Sequence, residues 1–373
     1  MASSESFAEI IAGVDFAQLE ERILAVRPEA VDRVLRQPRA RPEDALVLFS
    51  PAAAQRLDAL VQRAAAITEQ RFGRAMQLYA PLYLSSACTN RCVYCGFSHD
   101  VVMERRSLNL DEAVANARVL HDQGFRQILL VTGEAPRHYG VDHIEQVARA
   151  ISPMFDSISI EVFPMEQADY GRMGAAGVDG LVLYQETYDP GIYAEVHPAG
   201  RKADYRWRLD GPDRGGRAGF RSLGLGILLG LAPWRPDAAL LVRHAAWLQR
   251  RHWRSRIAIS FPRMVNSERG YAAAHTVGDR DFIQAMAAVR IMLPDAELVL
   301  STREPAELRD RLIGSFITRM SAGSQTSPGG YIEEGLGEQF EAQDGRSPGE
   351  IARVLAERGM DAVWKDLDKG FRV

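Results

Sequence analysis

Hydrophobic positions along this chain fall into two spacings that take turns. From Ser50 to Phe72 (SPAAAQRLDALVQRAAAITEQRF), apolar Leu57, Leu60, Val61, Ala64 and Ile67 recur at helical spacing behind a capping Ser and a Pro at the first helical position, which predicts a helix. Beyond it come short β-branched or apolar runs: LYAPLYL (78–84), QILLVT (127–132), SISIEVF (157–163), GLVLYQ (180–185), SLGLGILL (222–229), RIAISF (256–261), ELVLS (297–301) and SFITRMS (315–321). Amphipathic segments separate them. Eight strands alternating with helices predict an α/β fold, a closed (β/α)8 TIM-type barrel whose active site is built from the loops after the strand ends. The expected boundaries are an N-terminal helical extension over 1–75, the barrel over 76–325, and a C-terminal loop and helix over 326–373 packed on the barrel. The Gly- and Pro-rich run 320–337 (MSAGSQTSPGGYIEEGLG) predicts a long surface loop, and Ser347–Leu367 a helix with a short tail.

Composition narrows the class. At 46% hydrophobic and 25% charged residues the chain has the make-up of a globular protein with a large core. A net charge of −4 supplies no global field for attracting nucleic acid or an anionic membrane, so neither is an expected partner. No stretch approaches a membrane-spanning apolar run, and MASSESFAEIIAGVDF lacks a basic region followed by an apolar one, so a cytoplasmic protein is expected. The histidines are scattered with no H-x-x-x-H pair, which gives little support to a mononuclear metalloenzyme.

The three cysteines are concentrated in one place, Cys88, Cys92 and Cys95, a clustering that no disulfide framework produces. The run SSACTNRCVYCGFSHD spaces them as C-x3-C-x2-C directly after the first strand run, where a tight loop can aim three thiolates at one point. Three thiolates fill three corners of a [4Fe–4S] cubane and leave one iron open, able to bind an external amine and carboxylate. The other reading of the same residues is a structural Cys3His zinc site with His99 as fourth ligand, although zinc patterns pair two ligand clusters across a longer stretch.

With Tyr94 before the last cysteine, C-x3-C-x-Y-C resembles the signature of the radical S-adenosylmethionine superfamily, where an aromatic at that position packs near the adenine. VTGE after the second strand run is similar to the superfamily's GGE motif, with Gly133 and Glu134 at its second and third positions and Thr132 in place of the first glycine. By that resemblance they bind the methionine amino group. Over nearly its whole length the chain further resembles the 2-iminoacetate synthases, the tyrosine lyases of thiamine biosynthesis. The matching segments are YLSSACTNRCVYCGFS, LLVTGE, EVFPM, DGLVLYQETYD, WRLDGPDRGGRAG, LGLGILLGL, SFPR, LSTREPAELRDRL, MSAGS, PGGY and VWKDLD. Hydrogenase maturase tyrosine lyases share most of these but carry a C-terminal extension whose cysteines bind a second cluster, and no such cysteines occur here. Tryptophan lyases are also related; VWKDLD favours the thiamine family.

The resemblance implies a [4Fe–4S] cluster and S-adenosylmethionine as cofactors. It implies cleavage of the Cα–Cβ bond of L-tyrosine to p-cresol and 2-iminoacetate, with 5′-deoxyadenosine and methionine as co-products. It also implies thiazole synthase as the partner receiving the imine, and a low-potential donor of flavodoxin or ferredoxin type. A tryptophan lyase is the alternative within enzymes, and a passive iron–sulfur or zinc-stapled binding protein the alternative outside them.

Individual residues fill in the expected site. Glu161, ending the third strand run, can accept two ribose hydroxyl protons from S-adenosylmethionine. In YQETY, strand alternation turns neighbours to opposite sides, and Gln185 is the expected cofactor contact, with Tyr184 left open between the site and the core. Gly226, in LGLGILLG, is expected to admit the adenine close to the backbone. Arg303, in STRE, has the planar fork suited to an amino-acid carboxylate, and Ser321 is expected to add a hydrogen bond, with Ser324 as its rival. The run 201–221 holds seven Lys or Arg among 21 residues and is read as a solvated loop with salt bridges, Arg214 being its candidate for a cofactor carboxylate.

Overall fold

The computed structural model describes residues 5–264, 270–333 and 337–365. Eight parallel strands close a barrel: β1 (Ala75–Ser85), β2 (Gln127–Thr132), β3 (Ser157–Glu161), β4 (Gly180–Val182), β5 (Ser222–Gly226), β6 (Arg256–Ser260), β7 (Glu297–Leu300) and β8 (Arg319–Ser321), each paired with the next and β1 closing on both β2 and β8. A short ninth strand, β9 (Asp361–Val363), adds in parallel to the lower end of β1. The expected (β/α)8 barrel is therefore the fold. The eight strand runs all hold barrel strands; in β3 to β7 the last residues of the run extend beyond the ladder toward the active-site rim, and β8 takes only the end of its run.

Alternation sorts side chains in β1 and β2. Leu78, Ala80, Leu82, Ile128 and Leu130 join the large core under the helices, whereas Tyr79, Tyr83, Leu129 and Val131 turn into the barrel. The outer layer includes the helices Leu110–Asp122, Val141–Ile151, Gln167–Ala175, Trp234–Arg251, Asp279–Met292 and Ala306–Leu312. Asn109 and Glu112 start the first of these with reciprocal side-chain caps. Among the described residues no helix is long and apolar enough to cross a membrane.

Three expectations are corrected here. The helix predicted over Ser50–Phe72 is two, Pro51–Ala54 and Leu57–Phe72, broken at Arg56, whose ψ of 24° is non-helical and whose guanidinium reaches Asp32 at 3.1 Å. The run 320–337 is not a surface loop in its first half: Ala322, Ser324, Thr326 and Ser327 are buried, and Tyr331 donates to the carbonyl of Pro81 at 2.8 Å. Its small residues serve close packing rather than solvation. The C-terminal helix is Pro348–Glu357, capped by Ser347, and the tail beyond it forms β9, too short to leave a sequence signal. Trp364 then packs on Phe125 and accepts a hydrogen bond from the Arg126 backbone at 3.0 Å, while the end of the VWKDLD segment, 366–368, lies outside the described residues.

Candidate active site at the barrel mouth

The loop after β1 carries the three cysteines and is sewn to the end of β2. The amide of Gly133 donates to Ser85, and both the amide and hydroxyl of Thr89 donate to the carbonyl of Glu134 at 2.9 Å. A side chain at Gly133 would place its Cβ 2.3 Å from the carbonyl oxygen of Ala87, so only glycine lets the two segments touch. Asn90 ties them further: its amide donates to Glu134 at 2.8 Å and its oxygen accepts from the backbone of Lys202 at 2.9 Å. The other carboxylate oxygen of Glu134 is buried and accepts no hydrogen bond among the described residues; Arg201 stands 3.9 Å from it, leaving an acceptor for an ammonium group.

No disulfide joins the three cysteines. Burial pushes that of Cys92 up to about 12, and Cys95 and Cys88 push it the same way against the pull of Lys202. Cys95 is raised likewise, by burial and by Cys88. Thiols that oppose one another's ionisation at one point suit a centre bringing its own positive charge, as iron does. The zinc reading fails on His99, which is exposed and faces Asp100. Among the described residues no three potential ligands stand around one point as a single ion requires, whereas a cubane spreads its thiolates over different irons. The donor set fits the cluster.

Tyr94 faces the cavity and donates to Nε2 of His197 at 2.8 Å. The direction follows from the other ring nitrogen, which must be the protonated one because it lies 2.9 Å from the carbonyl of Tyr193. Burial keeps this imidazole neutral, its pKa lowered to about 2. His197 had no motif to reveal it.

The cavity extends from these residues across the strand ends, about 1080 Å³ of open space including its mouth. Its floor includes Tyr79, Tyr184 and Ser260, one side Glu161, Glu186 and Lys202, and the other Arg303, Ser321 and Ser324. Glu186 is an outlier, with φ of +72° in a non-glycine residue, held there by Lys202 at 2.7 Å and Arg208 at 3.6 Å. Burial would raise its carboxyl, but these two cations outweigh burial and hold it low. Glu161 has no such partner: burial and the like charge of Glu186 raise it to about 7.

Several expected residues sit elsewhere. Gln185 is buried but does not line the cavity; alternation is obeyed, and it is Tyr184 and Glu186 that turn inward. Gly226 does not line it either, since a Cβ there would lie 2.7 Å from the Tyr184 ring, which takes the space expected for an adenine. Arg214 is an internal strut, stacked on Trp207 at 3.6 Å and donating to the carbonyls of Met165 and Trp207. The basic run is not simply solvated, because Lys202 and Arg208 turn inward to Glu186. Ser321 lines the cavity, and its hydroxyl accepts from the amide of Thr302 at 3.0 Å, which leaves its own O–H to donate; the hydroxyl of Ser324 is buried without a partner among the described residues. Arg303 lies on the wall with its guanidinium 3.5 Å over the ring of Phe340.

Comparison with known proteins agrees with this architecture. Residues 82–235 match the family model of the Radical SAM superfamily and residues 260–361 that of the Biotin and Thiamin Synthesis associated domain. The chain is 38% identical to the 2-iminoacetate synthase of Escherichia coli, over 98% of this chain and 97% of that one. It is 40% identical to that of Salmonella typhimurium, over 91% and 90%. Among solved structures it is similar to HydG, a maturase of the [FeFe]-hydrogenase, with a TM-score of 0.87 and 30% identity, covering 94% of this chain and 79% of that one.

Proposed function

The chain belongs to the 2-iminoacetate synthase family of radical S-adenosylmethionine enzymes, and on that premise we propose how its cavity divides the work between cofactor and substrate. It is a carbon–carbon lyase acting on L-tyrosine. Held by Cys88, Cys92 and Cys95, a [4Fe–4S] cluster with S-adenosylmethionine would supply the radical chemistry that removes a hydrogen atom from the amino group of tyrosine; scission of the Cα–Cβ bond then gives 2-iminoacetate and a 4-hydroxybenzyl radical, which one electron from the low-potential donor and one proton convert to p-cresol.

The buried oxygen of Glu134 that accepts no hydrogen bond receives the methionine ammonium, with Gly133 keeping the backbone close, and Tyr94, pinned by His197, flanks the adenine. Glu161 takes the ribose hydroxyls. Across the cavity Arg303 binds the substrate carboxylate through both prongs of its guanidinium, and a serine hydroxyl adds a bond to it. We assign this bond to Ser324, whose buried hydroxyl has no hydrogen-bond partner among the described residues, while Ser321 also holds the amide of Thr302. The enzyme works in the cytoplasm, drawing electrons from a low-potential flavodoxin- or ferredoxin-type protein and passing its water-sensitive imine to thiazole synthase.

The single observation that carries this division is an arginine fork on a cavity wall that also holds Cys95. Anaerobic reconstitution with iron, sulfide, reductant and S-adenosylmethionine should convert tyrosine to p-cresol and glyoxylate, the hydrolysis product of 2-iminoacetate, and should leave tryptophan intact. Preferential turnover of tryptophan would overturn the substrate assignment.

A further inference from the structure

Arg303 is a cation on a cavity wall, and among the described residues no carboxylate forms an ion pair with it. Glu161 and Glu186 feel its charge only at a distance. What holds it is Phe340, whose ring centre lies 3.5 Å from the guanidinium carbon. That contact has a chemical consequence that an ion pair would lack. An aromatic ring engages the face of a guanidinium, so the N–H groups along its edges remain free for a carboxylate. A glutamate in the same place would hold the arginine equally well but would consume those donors and neutralise its charge.

Phe340 is itself held by a strap, residues 337–344, that crosses the cavity from the cluster loop to the arginine. At one end a Cβ on Gly96, the residue after Cys95, would lie 2.6 Å from the carbonyl oxygen of Gln339 and 2.7 Å from that of Glu338, so the missing side chain lets the strap rest on the cluster loop. In the middle Tyr83 donates to the side chain of Gln339 at 2.7 Å, and the amide of Gln339 donates to Thr326 at 3.1 Å. At the far end the amide of Gln343 donates to the carbonyl of Thr302, next to Arg303, at 2.8 Å, and Asp344 is buried against Arg309. We propose that Phe340 is the positioning residue for the substrate carboxylate, and that the strap aims the Arg303 fork into the cavity by stacking on its face. The proposal rests on the reading of Arg303 as the carboxylate anchor.

The test is a double-mutant cycle on the reconstituted holoenzyme, reading tyrosine affinity and the ratio of p-cresol to 5′-deoxyadenosine. Phe340→Leu should weaken tyrosine binding roughly 5- to 30-fold, the span of a cation–π contact from exposed to desolvated, and lower the product ratio while iron content stays unchanged. Phe340→Trp should restore most of the affinity. In an Arg303→Ala background the Leu substitution should add nothing, because there is no fork left to aim. A fluorinated phenylalanine at position 340, which keeps the ring's shape and drains its negative face, should weaken binding in step with fluorination and covers the case in which the Leu variant does not fold. Wild-type affinity with the fluorinated ring, or an equal loss from Phe340→Leu with and without Arg303, would overturn the proposal. If Arg303→Ala itself binds tyrosine normally, the anchor reading fails instead, and the two failures are told apart by that one variant.

Discussion

At the cluster end of the cavity, Cys88–Cys95 and Gly133–Glu134 leave two adjacent strands and are joined by backbone hydrogen bonds and a contact only glycine permits. At the substrate end, Ser321 ends β8, Arg303 and Ser324 follow β7 and β8, and Phe340 comes from a strap beyond them that is tied down by backbone and side-chain hydrogen bonds and meets Arg303 in a ring stack. The first end is fixed by main chain, so its geometry survives most side-chain changes other than those of its ligands. The second presents its binding groups through side-chain stacking and single hydrogen bonds, so individual substitutions there should change binding by graded amounts. Cluster assembly is therefore expected to be all-or-none, and substrate recognition tunable.

The largest effect should come from Cys92→Ala. With one of three thiolate ligands gone, most of the cluster iron and all reductive cleavage of S-adenosylmethionine should be lost, as read by iron analysis and 5′-deoxyadenosine formation. A full cluster with wild-type cleavage would remove the all-or-none side of the comparison.

Next in size is Arg303→Ala. Truncating one partner of a desolvated, charge-assisted pair costs on the order of 2–5 kcal/mol, roughly 30- to several-thousand-fold in tyrosine affinity. Iron content should be unaffected, and S-adenosylmethionine should still be cleaved slowly, so the ratio of p-cresol to 5′-deoxyadenosine should collapse. Arg303→Lys should recover only part of the loss, since it restores the charge but not the fork. Normal tyrosine binding by the Ala variant would make Arg303 a structural residue.

A smaller difference separates the two serines. Ser324→Ala should cost about 10-fold or more in tyrosine affinity, the value of one hydrogen bond to a charged group. Ser321→Ala should act mainly on thermal stability, because it strips the acceptor from the Thr302 amide. Calorimetric unfolding beside substrate titration would show whether the roles are the reverse.

Glu161 offers the most local test. Its carboxyl is raised from 4.5 to about 7, first by burial and then by Glu186, against the pull of Arg303, Arg208 and Lys202. The folded protein thus keeps a proton that the unfolded chain releases between those values, and this contribution to stability is lost as pH rises through that window. Glu161→Gln should leave the cofactor-free protein unchanged near pH 4.5 and make it more stable near pH 8, by up to about 3 kcal/mol before water in the open cavity reduces it. If the ionised carboxylate accepts the ribose hydroxyls, affinity for S-adenosylmethionine should rise with pH through 7 in the wild type and be flat in the variant. A flat wild-type profile would detach Glu161 from the ribose.

What the sequence alone determined is what local chemistry encodes. Eight apolar runs at barrel spacing were enough for the fold, because each strand and helix buries a face whose period is written in consecutive residues. The cysteine spacing was enough for the cluster chemistry, because its ligands lie within one loop. Tertiary structure decided the rest. Whether Gln185 or Glu186 faces the cavity depended on where β4 ends and on two cations reaching in from a basic run that looks solvated in one dimension. Gly226 looked like room for a cofactor, yet the Tyr184 ring occupies that room from the next strand, a contact with no sequence period. Phe340 sits 37 residues past Arg303 in a stretch without regular structure, and β9 has three residues. Such contacts between distant segments are set by how whole layers pack, and packing is a property of the folded chain that no window of its sequence contains.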